Sequence, residues 1–133
     1  MPPEVDLLGV LLATVSSFVI GGIWYGPLFG QAWMTANGFT VEDLKANWNP
    51  AKTYGITFVI GLVTCYTFAM FLGEGLGWAD GAQRGLIAGL VWVAGSIATN
   101  YQFESTGNNL LMINGGYHAV RFAVIGAILG AMN

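Results

Sequence analysis

Residues 51–72 read AKTYGITFVIGLVTCYTFAMFL, and the only charge among them is Lys52. The hydrocarbon core of a bilayer is about 30 Å thick, and a helix crosses it with roughly 20 apolar residues. The apolar run is continuous, whereas a membrane-spanning β-strand alternates polar and apolar residues over about ten positions. Asn49-Pro50 precedes the run, and proline is well tolerated in a first helical turn. The stretch therefore predicts a transmembrane helix.

Three further stretches of this kind cover residues 5–24, 82–103 and 110–132. Together the four stretches take up most of the 133 residues, and only 8% of the chain is charged. Soluble domains carry about 25% charged residues. The sequence thus predicts an all-α integral membrane protein, a four-helix transmembrane bundle that forms one domain over residues 1–133.

Composition also narrows the classes of function. The net charge of −3 offers no basic patch for nucleic acid, so we expect membrane lipids and not nucleic acids as partners. The single cysteine, Cys65, lies inside a predicted helix, and His118 is the only histidine. These counts argue against a disulfide framework and a cysteine-based metal site. We expect neither a metal nor another cofactor.

The connection after the first helix is long and apolar. Residues 25–34 read YGPLFGQAWM, and aromatic side chains of this kind favour the headgroup level of a membrane. We interpret it as a short interfacial segment between helices 1 and 2, held in a fixed turn. Farther on, Thr40 and Asp43 have the spacing of a capping box, which predicts the start of a short surface helix. The interfacial motif comprises Trp24, Tyr25, Pro27, Phe29, Gly30 and Trp33.

Small residues recur at four-residue intervals in every predicted helix, so each helix has one face of small side chains. Such faces let helix backbones approach closely in lipid. They either pack within the bundle or, in the fourth helix above all, form the interface of a homo-oligomer. Four helices can bury only some of these faces internally, so we expect a homo-oligomer. The stripe of the fourth helix comprises Gly115, Ala119, Ala123, Ala127 and Ala131.

Arg121 is the outstanding candidate for chemistry, because a charge inside a membrane is costly and usually has a partner or a function. Asn114 and His118 share its helix face. If the helix starts at Leu110, Arg121 lies about 16 Å along it, whereas a start at Gly115 would leave it about 9 Å along.

The later start predicts one polar cluster near one membrane face. Asn100 and Glu104 share a face at the end of the third helix, and an antiparallel fourth helix would bring Glu104 towards His118 and Arg121. The cluster is either a set of ion pairs and hydrogen bonds that fixes the bundle, or a site for an anionic small molecule, a lipid headgroup or a proton path. The candidate ligand-binding residues are Arg121, His118, Asn114, Glu104 and Asn100.

Two strings in the chain point to a known family. One is Gly22-Ile23-Trp24-Tyr25-Gly26-Pro27-Leu28-Phe29-Gly30-Gln31-Ala32-Trp33-Met34, and the other is Asn114-Gly115-Gly116-Tyr117-His118. With these strings the whole chain resembles a family of small bacterial membrane proteins catalogued as domain of unknown function 1761. Family patterns often have serine where this chain has Gly26. The resemblance implies a four-helix integral membrane protein and supplies no activity.

These observations lead to one functional hypothesis and its rivals. We expect a non-enzymatic, multi-pass protein of the bacterial inner membrane, a homo-oligomer that binds or passes a small ligand, ion or lipid. In this hypothesis Arg121 attracts negative charge, His118 and Glu104 tune it, and the two asparagines orient the ligand. The alternative is a structural or accessory subunit of a larger membrane complex. A membrane enzyme acting on a lipid or quinone is a more remote alternative, because no catalytic pattern stands out.

Overall fold

The computed structural model describes residues 4–133, so residues 1–3 of the predicted domain lie outside it. The described chain is helical and contains no strand. Four of its helices are long and apolar enough to cross a membrane, which confirms the predicted all-α fold class. The helices are α1 (Leu7–Leu28), α2 (Gly30–Asn37), α3 (Val41–Asn47), α4 (Pro50–Leu72), α5 (Trp78–Glu104) and α6 (Asn108–Met132).

Polar side chains cap three of the helix starts. The carboxylate of Asp6 accepts hydrogen bonds from the first turn of α1, and the side chain of Asn49 accepts one from the first turn of α4. At α3 the predicted capping box is confirmed: the Asp43 N–H donates to the Thr40 hydroxyl (3.1 Å), and the Thr40 N–H donates to the Asp43 carboxylate (2.9 Å). These bonds satisfy N–H groups that have no partner within a helix.

The end of α1 differs from the sequence prediction. Residues 25–28 were expected in the connection, but they continue the helix as a π-helical turn, Trp24–Leu28, that contains Pro27. Proline has no N–H, and its ring crowds the carbonyl four residues earlier. The wider turn accommodates it, and the Phe29 N–H donates five residues back to the carbonyl of Trp24 (2.8 Å). The interfacial segment is therefore mostly helical and runs on as α2.

The closest helix contact joins α5 to α6 through glycines. A Cβ atom at Gly81 would overlap the carbonyl oxygen of Gly126, and one at Gly85 would overlap that of Phe122. The approach is mutual, because a Cβ at Gly126 would overlap the carbonyl of Gly81. Bare backbone on both sides lets these helices touch, which gives the dispersion contacts that hold helices together in lipid.

The small-residue stripe of α6 lies against this same surface. Gly115 and Ala119 are buried, and a Cβ at Gly89 of α5 would lie 3.0 Å from the Cα of Ala119. A Cβ at Gly85 would likewise lie 3.3 Å from the Cα of Ala123. These three positions of the stripe therefore pack within the chain, whereas Ala131 is exposed.

The small residues of α1 and α4 also point inward. Ala13 of α1 and Cys65 and Ala69 of α4 are fully buried, and they pack with Ile125 and Leu129 of α6. The core is therefore thin and made largely of small side chains, with larger apolar residues on the outside, as lipid permits.

Asn133 forms hydrogen bonds with other segments at one end of the bundle. Its side-chain oxygen accepts from the Asp6 N–H (2.9 Å), and its amide nitrogen donates to the carbonyl of Gly73 (3.0 Å). Its own carbonyl accepts from the Gly75 N–H (3.2 Å). The start of α1, the end of α4 and the following turn are thereby held at the end of α6.

Candidate functional site

The two sequence strings that carry the family resemblance contact each other. The indole N–H of Trp24 donates to the carbonyl of Ile113 on α6 (2.8 Å). Its ring packs on Phe29, with 4.8 Å between the ring centroids. A Cβ at Gly116 would lie only 3.0 Å from the indole, so glycine at this position makes room for Trp24.

A chain of hydrogen bonds continues from the next residue. The hydroxyl of Tyr25 donates to the side-chain oxygen of Asn114 (2.6 Å), and the amide of Asn114 donates to the hydroxyl of Tyr101 (2.8 Å). This Tyr25–Asn114–Tyr101 clasp joins α1, α6 and α5. All three side chains are partly buried, so their polar atoms need the partners that they find in one another.

Tyr117 makes a third link between the strings. Its hydroxyl donates to the carbonyl of Ser17 (3.1 Å), and its ring meets that of Tyr25 edge to face at 5.2 Å. A Cβ at Gly21 would lie 3.3 Å from the Tyr117 hydroxyl. Gly21 of α1 thus leaves space for Tyr117 of α6, and Gly116 of α6 leaves space for Trp24 of α1.

The remaining residues of the interfacial motif support this arrangement. A Cβ at Gly30 would lie 2.5 Å from the carbonyl oxygen of Tyr25, so the backbone tolerates only glycine there. The ring of Trp33 meets that of Tyr25 edge to face at 6.1 Å. Gly26, in contrast, has open space around its Cβ position, which a serine could fill.

A cleft of about 600 Å³ lies beside these contacts, between α1, α4 and α6. The first half of α4 lies at the edge of the bundle: no residue from Pro50 to Ile60 is buried. The helices α1 and α4 close up at Gly61, where a Cβ would lie 2.9 Å from the methyl group of Thr14. The residues that line the cleft include Ser17, Phe18, Gly22, Tyr25, Thr53, Tyr54, Thr57, Ile60, Tyr117, His118 and Arg121.

Arg121 and His118, two of the five predicted site residues, line this cleft. The helix α6 runs unbroken from Asn108 through Asn114-Gly115-Gly116, so the earlier of the two predicted starts is the better one. Arg121 stands thirteen residues after Asn108 and eleven before Met132, about 20 Å along the helix. It therefore lies near the middle of the span.

Asn114 stands apart from this pair, in the clasp at the end of the cleft. Asn100 and Glu104 are exposed on α5, and neither forms a side-chain hydrogen bond or an ion pair with another described residue. The expected approach of Glu104 to His118 and Arg121 is wrong, because the long α6 carries Arg121 about 20 Å from the helix end that lies nearest Glu104.

Several hydroxyls that line the described part of the cleft already have hydrogen-bond partners within the protein. The hydroxyls of Thr14 and Thr57 donate to carbonyls in their own helices (2.8 and 2.7 Å), as does that of Ser17 (3.2 Å). The guanidinium of Arg121 has no carboxylate within 4 Å among residues 4–133, and its Cζ atom lies 5.1 Å from the centroid of the Phe122 ring. The Nδ1 atom of His118 is buried without a hydrogen-bond partner.

Sequence reasoning did not single out the α4 wall of the cleft. The signal was present, because Thr53, Thr57 and Gly61 recur at four-residue intervals and so share a helix face. The described residues contain no group of three metal-ligating side chains.

These features define an all-helical membrane protein of four spanning helices, with a cleft that reaches Arg121. The chain belongs to the family of proteins of unknown function DUF1761, whose model matches residues 8–130. The chain matches no curated protein and no solved structure.

Proposed function

We propose that this protein binds a small, negatively charged ligand or lipid in the cleft between α1, α4 and α6. The observation that carries the proposal is Arg121, a cation near the middle of a membrane span that lines the cleft and has no carboxylate partner among the described residues. The role is one of binding, or of passage across the membrane, and not of catalysis.

The physical argument starts from the energy of a buried charge. An arginine at the bilayer centre costs about 2.5–3.5 kcal/mol on insertion scales, and such residues face cavities or pair with other groups. Within the described chain no acidic side chain offsets the charge of Arg121. An anion bound in the cleft would offset that charge. Hydrogen bonds between the arginine guanidinium and an anionic group are about twice as strong as hydrogen bonds between neutral groups.

His118 supports the same location. The side chain of His118 lines the cleft, although its Nδ1 atom is buried away from it. A ligand held by Arg121 would be one turn of α6 from His118, since the two residues are three positions apart. We therefore assign Arg121 and His118 to the ligand, and Asn114 to the clasp that fixes the helices.

The proposal needs only one chain, because one chain supplies every lining residue. The predicted homo-oligomer and the predicted location in a bacterial inner membrane remain proposals. Helical spans support the latter, since outer-membrane proteins are typically β-barrels.

Native mass spectrometry of protein extracted gently from its own membrane tests the proposal. We expect the wild-type protein to retain a small molecule or lipid, and Arg121→Gln to lose it. Arg84→Gln is the matched control, because Arg84 is exposed on α5 and lies outside the cleft. It should retain the ligand.

Two results would contradict the proposal. One is a wild-type protein that carries no bound molecule, and the other is equal retention by Arg121→Gln and Arg84→Gln. A mass that includes other proteins, with no retained ligand, would favour the accessory-subunit alternative.

A further inference from the structure

We propose that the ligand is a single-chain amphiphile with one anionic group, and that it enters sideways from the bilayer between α1 and the first half of α4. This inference rests on the proposed function, because it names the chemical class of the ligand and its route. Three observations support it: the side opening of the cleft, the position of its charged residue on one wall only, and the cleft volume.

The opening follows from the course of α4. The side chains from Pro50 to Ile60 are exposed or nearly so, whereas α4 is buried at Gly61 and at intervals beyond it. Gly22 of α1 lines the cleft and has no atom within 4 Å of its Cβ position. The gap between the two helices is thus open around Gly22, one turn beyond the point where Phe18 packs against Tyr54 and Phe58. It faces the surroundings of the bundle, which in a membrane are lipid chains.

The walls of the cleft differ in charge. Arg121 and His118 lie on α6, the wall that faces the core of the bundle. The outer wall carries no charged side chain: it comprises Phe18 of α1 and Thr53, Tyr54, Thr57 and Ile60 of α4, and the Thr57 hydroxyl donates to a carbonyl in its own helix (2.7 Å). An anionic group therefore matches the inner wall, and a hydrocarbon chain matches the outer one.

The volume limits the size of the ligand. If each non-hydrogen atom takes about the 30 Å³ that a water occupies in the liquid, the 600 Å³ cleft holds roughly 20 such atoms. That is the size of a long-chain fatty acid. A two-chain phospholipid is much larger, so the cleft could enclose only one of its chains.

The experiment measures equilibrium binding of radiolabelled oleate to the full chain in phosphatidylcholine nanodiscs, with empty nanodiscs as background. Oleyl alcohol and inorganic phosphate compete as the uncharged amphiphile and the free anion. We expect saturable oleate binding that oleyl alcohol displaces poorly and phosphate does not displace. Arg121→Gln should weaken it roughly 10–150-fold, the ratio for a lost charged hydrogen bond.

A second variant tests the route without removing the charge. Gly22→Leu places a side chain in the opening, where nothing lies within 4 Å of the Cβ position, and should abolish saturable oleate binding. Gly95→Leu is its control, because Gly95 of α5 also has open space around it but does not line the cleft. It should bind oleate as the wild type does.

The outcomes separate the two proposals. If phosphate binds in an Arg121-dependent way and oleate does not saturate, the amphiphile inference is overturned and the proposed function stands. If neither oleate binding nor phosphate binding depends on Arg121, both the amphiphile inference and the proposed function are overturned. Oleate binding that survives both Arg121→Gln and Gly22→Leu takes place elsewhere, and it would overturn the inference as well.

Discussion

The glycine contact between α5 and α6 makes a sharp prediction about Gly85→Ala. The new Cβ would overlap the carbonyl oxygen of Phe122 and lie 2.8 Å from its carbonyl carbon, and real Cβ atoms essentially never approach closer than 3.0 Å. Because the obstacle is backbone, a side-chain rotation cannot relieve it, and α5 must move away from α6. Overpacking of this kind costs about 1–3 kcal/mol.

Gly95→Ala is the matched control for this change. Gly95 lies in the same helix and has nothing within 4 Å of its Cβ position, so both variants share the gain in helix propensity on replacing glycine. The difference in free energy of unfolding between them isolates the packing cost. At 1.4 kcal/mol per factor of ten, it corresponds to roughly 5–150-fold in the unfolding equilibrium.

Reversible unfolding by SDS in mixed micelles, followed by circular dichroism, measures this difference. We expect Gly85→Ala to unfold at a lower SDS fraction than the wild type, and Gly95→Ala to match or exceed the wild type. Equal unfolding curves for the two variants would refute the close approach of α5 and α6.

Three further predictions concern other parts of the molecule. Tyr25→Phe removes the donor to Asn114 and should lower the free energy of unfolding by about 1–3 kcal/mol, because a partly buried acceptor loses its partner. The same SDS titration measures this change, and an unfolding curve equal to that of the wild type would contradict the clasp. Asn133→Ala removes two side-chain hydrogen bonds at the bundle end. Hydrogen-exchange mass spectrometry should then detect faster exchange of the Asp6 amide, and protection equal to that of the wild type would argue against the contact. Hydrogen bonds from Thr40 hold the pKa of the Asp43 carboxyl below its usual range, so the cap of α3 is complete above the usual pKa of an aspartate and is lost as the pH falls through the lowered value. In an NMR titration, the amide chemical shift of Thr40 should change with its midpoint at that lowered pKa. A midpoint at or above the ordinary pKa of an aspartate would contradict this prediction.

The four spans could be predicted from sequence because length and apolarity suffice for them. The cap at Thr40 and Asp43 could be predicted for a similar reason, since it depends on residues three positions apart. Both features are local. They need no knowledge of which helix lies beside which.

The arrangement of the candidate site could be predicted only in part, because it depends on the start of α6. Asn114-Gly115-Gly116 resembles a helix break, yet the helix runs through it. A Cβ at Gly116 would lie 3.0 Å from the Trp24 ring, and a Cβ at Gly115 would lie 3.3 Å from the Ala94 side chain. These glycines therefore allow close packing between helices. The predicted polar cluster assumed the later of the two starts, at Gly115, and so paired Glu104 with Arg121 over a distance that the longer helix does not allow.

The most direct test of the central claim, that Arg121 in the cleft holds an anion, is an experimental density map of the protein purified in lipid. We expect density for a non-protein group within hydrogen-bond distance of the Arg121 guanidinium, continued by an elongated feature between Phe18 and Ile60. It would be contradicted by an ordered cleft with no such density, or by a carboxylate side chain of the protein paired with Arg121.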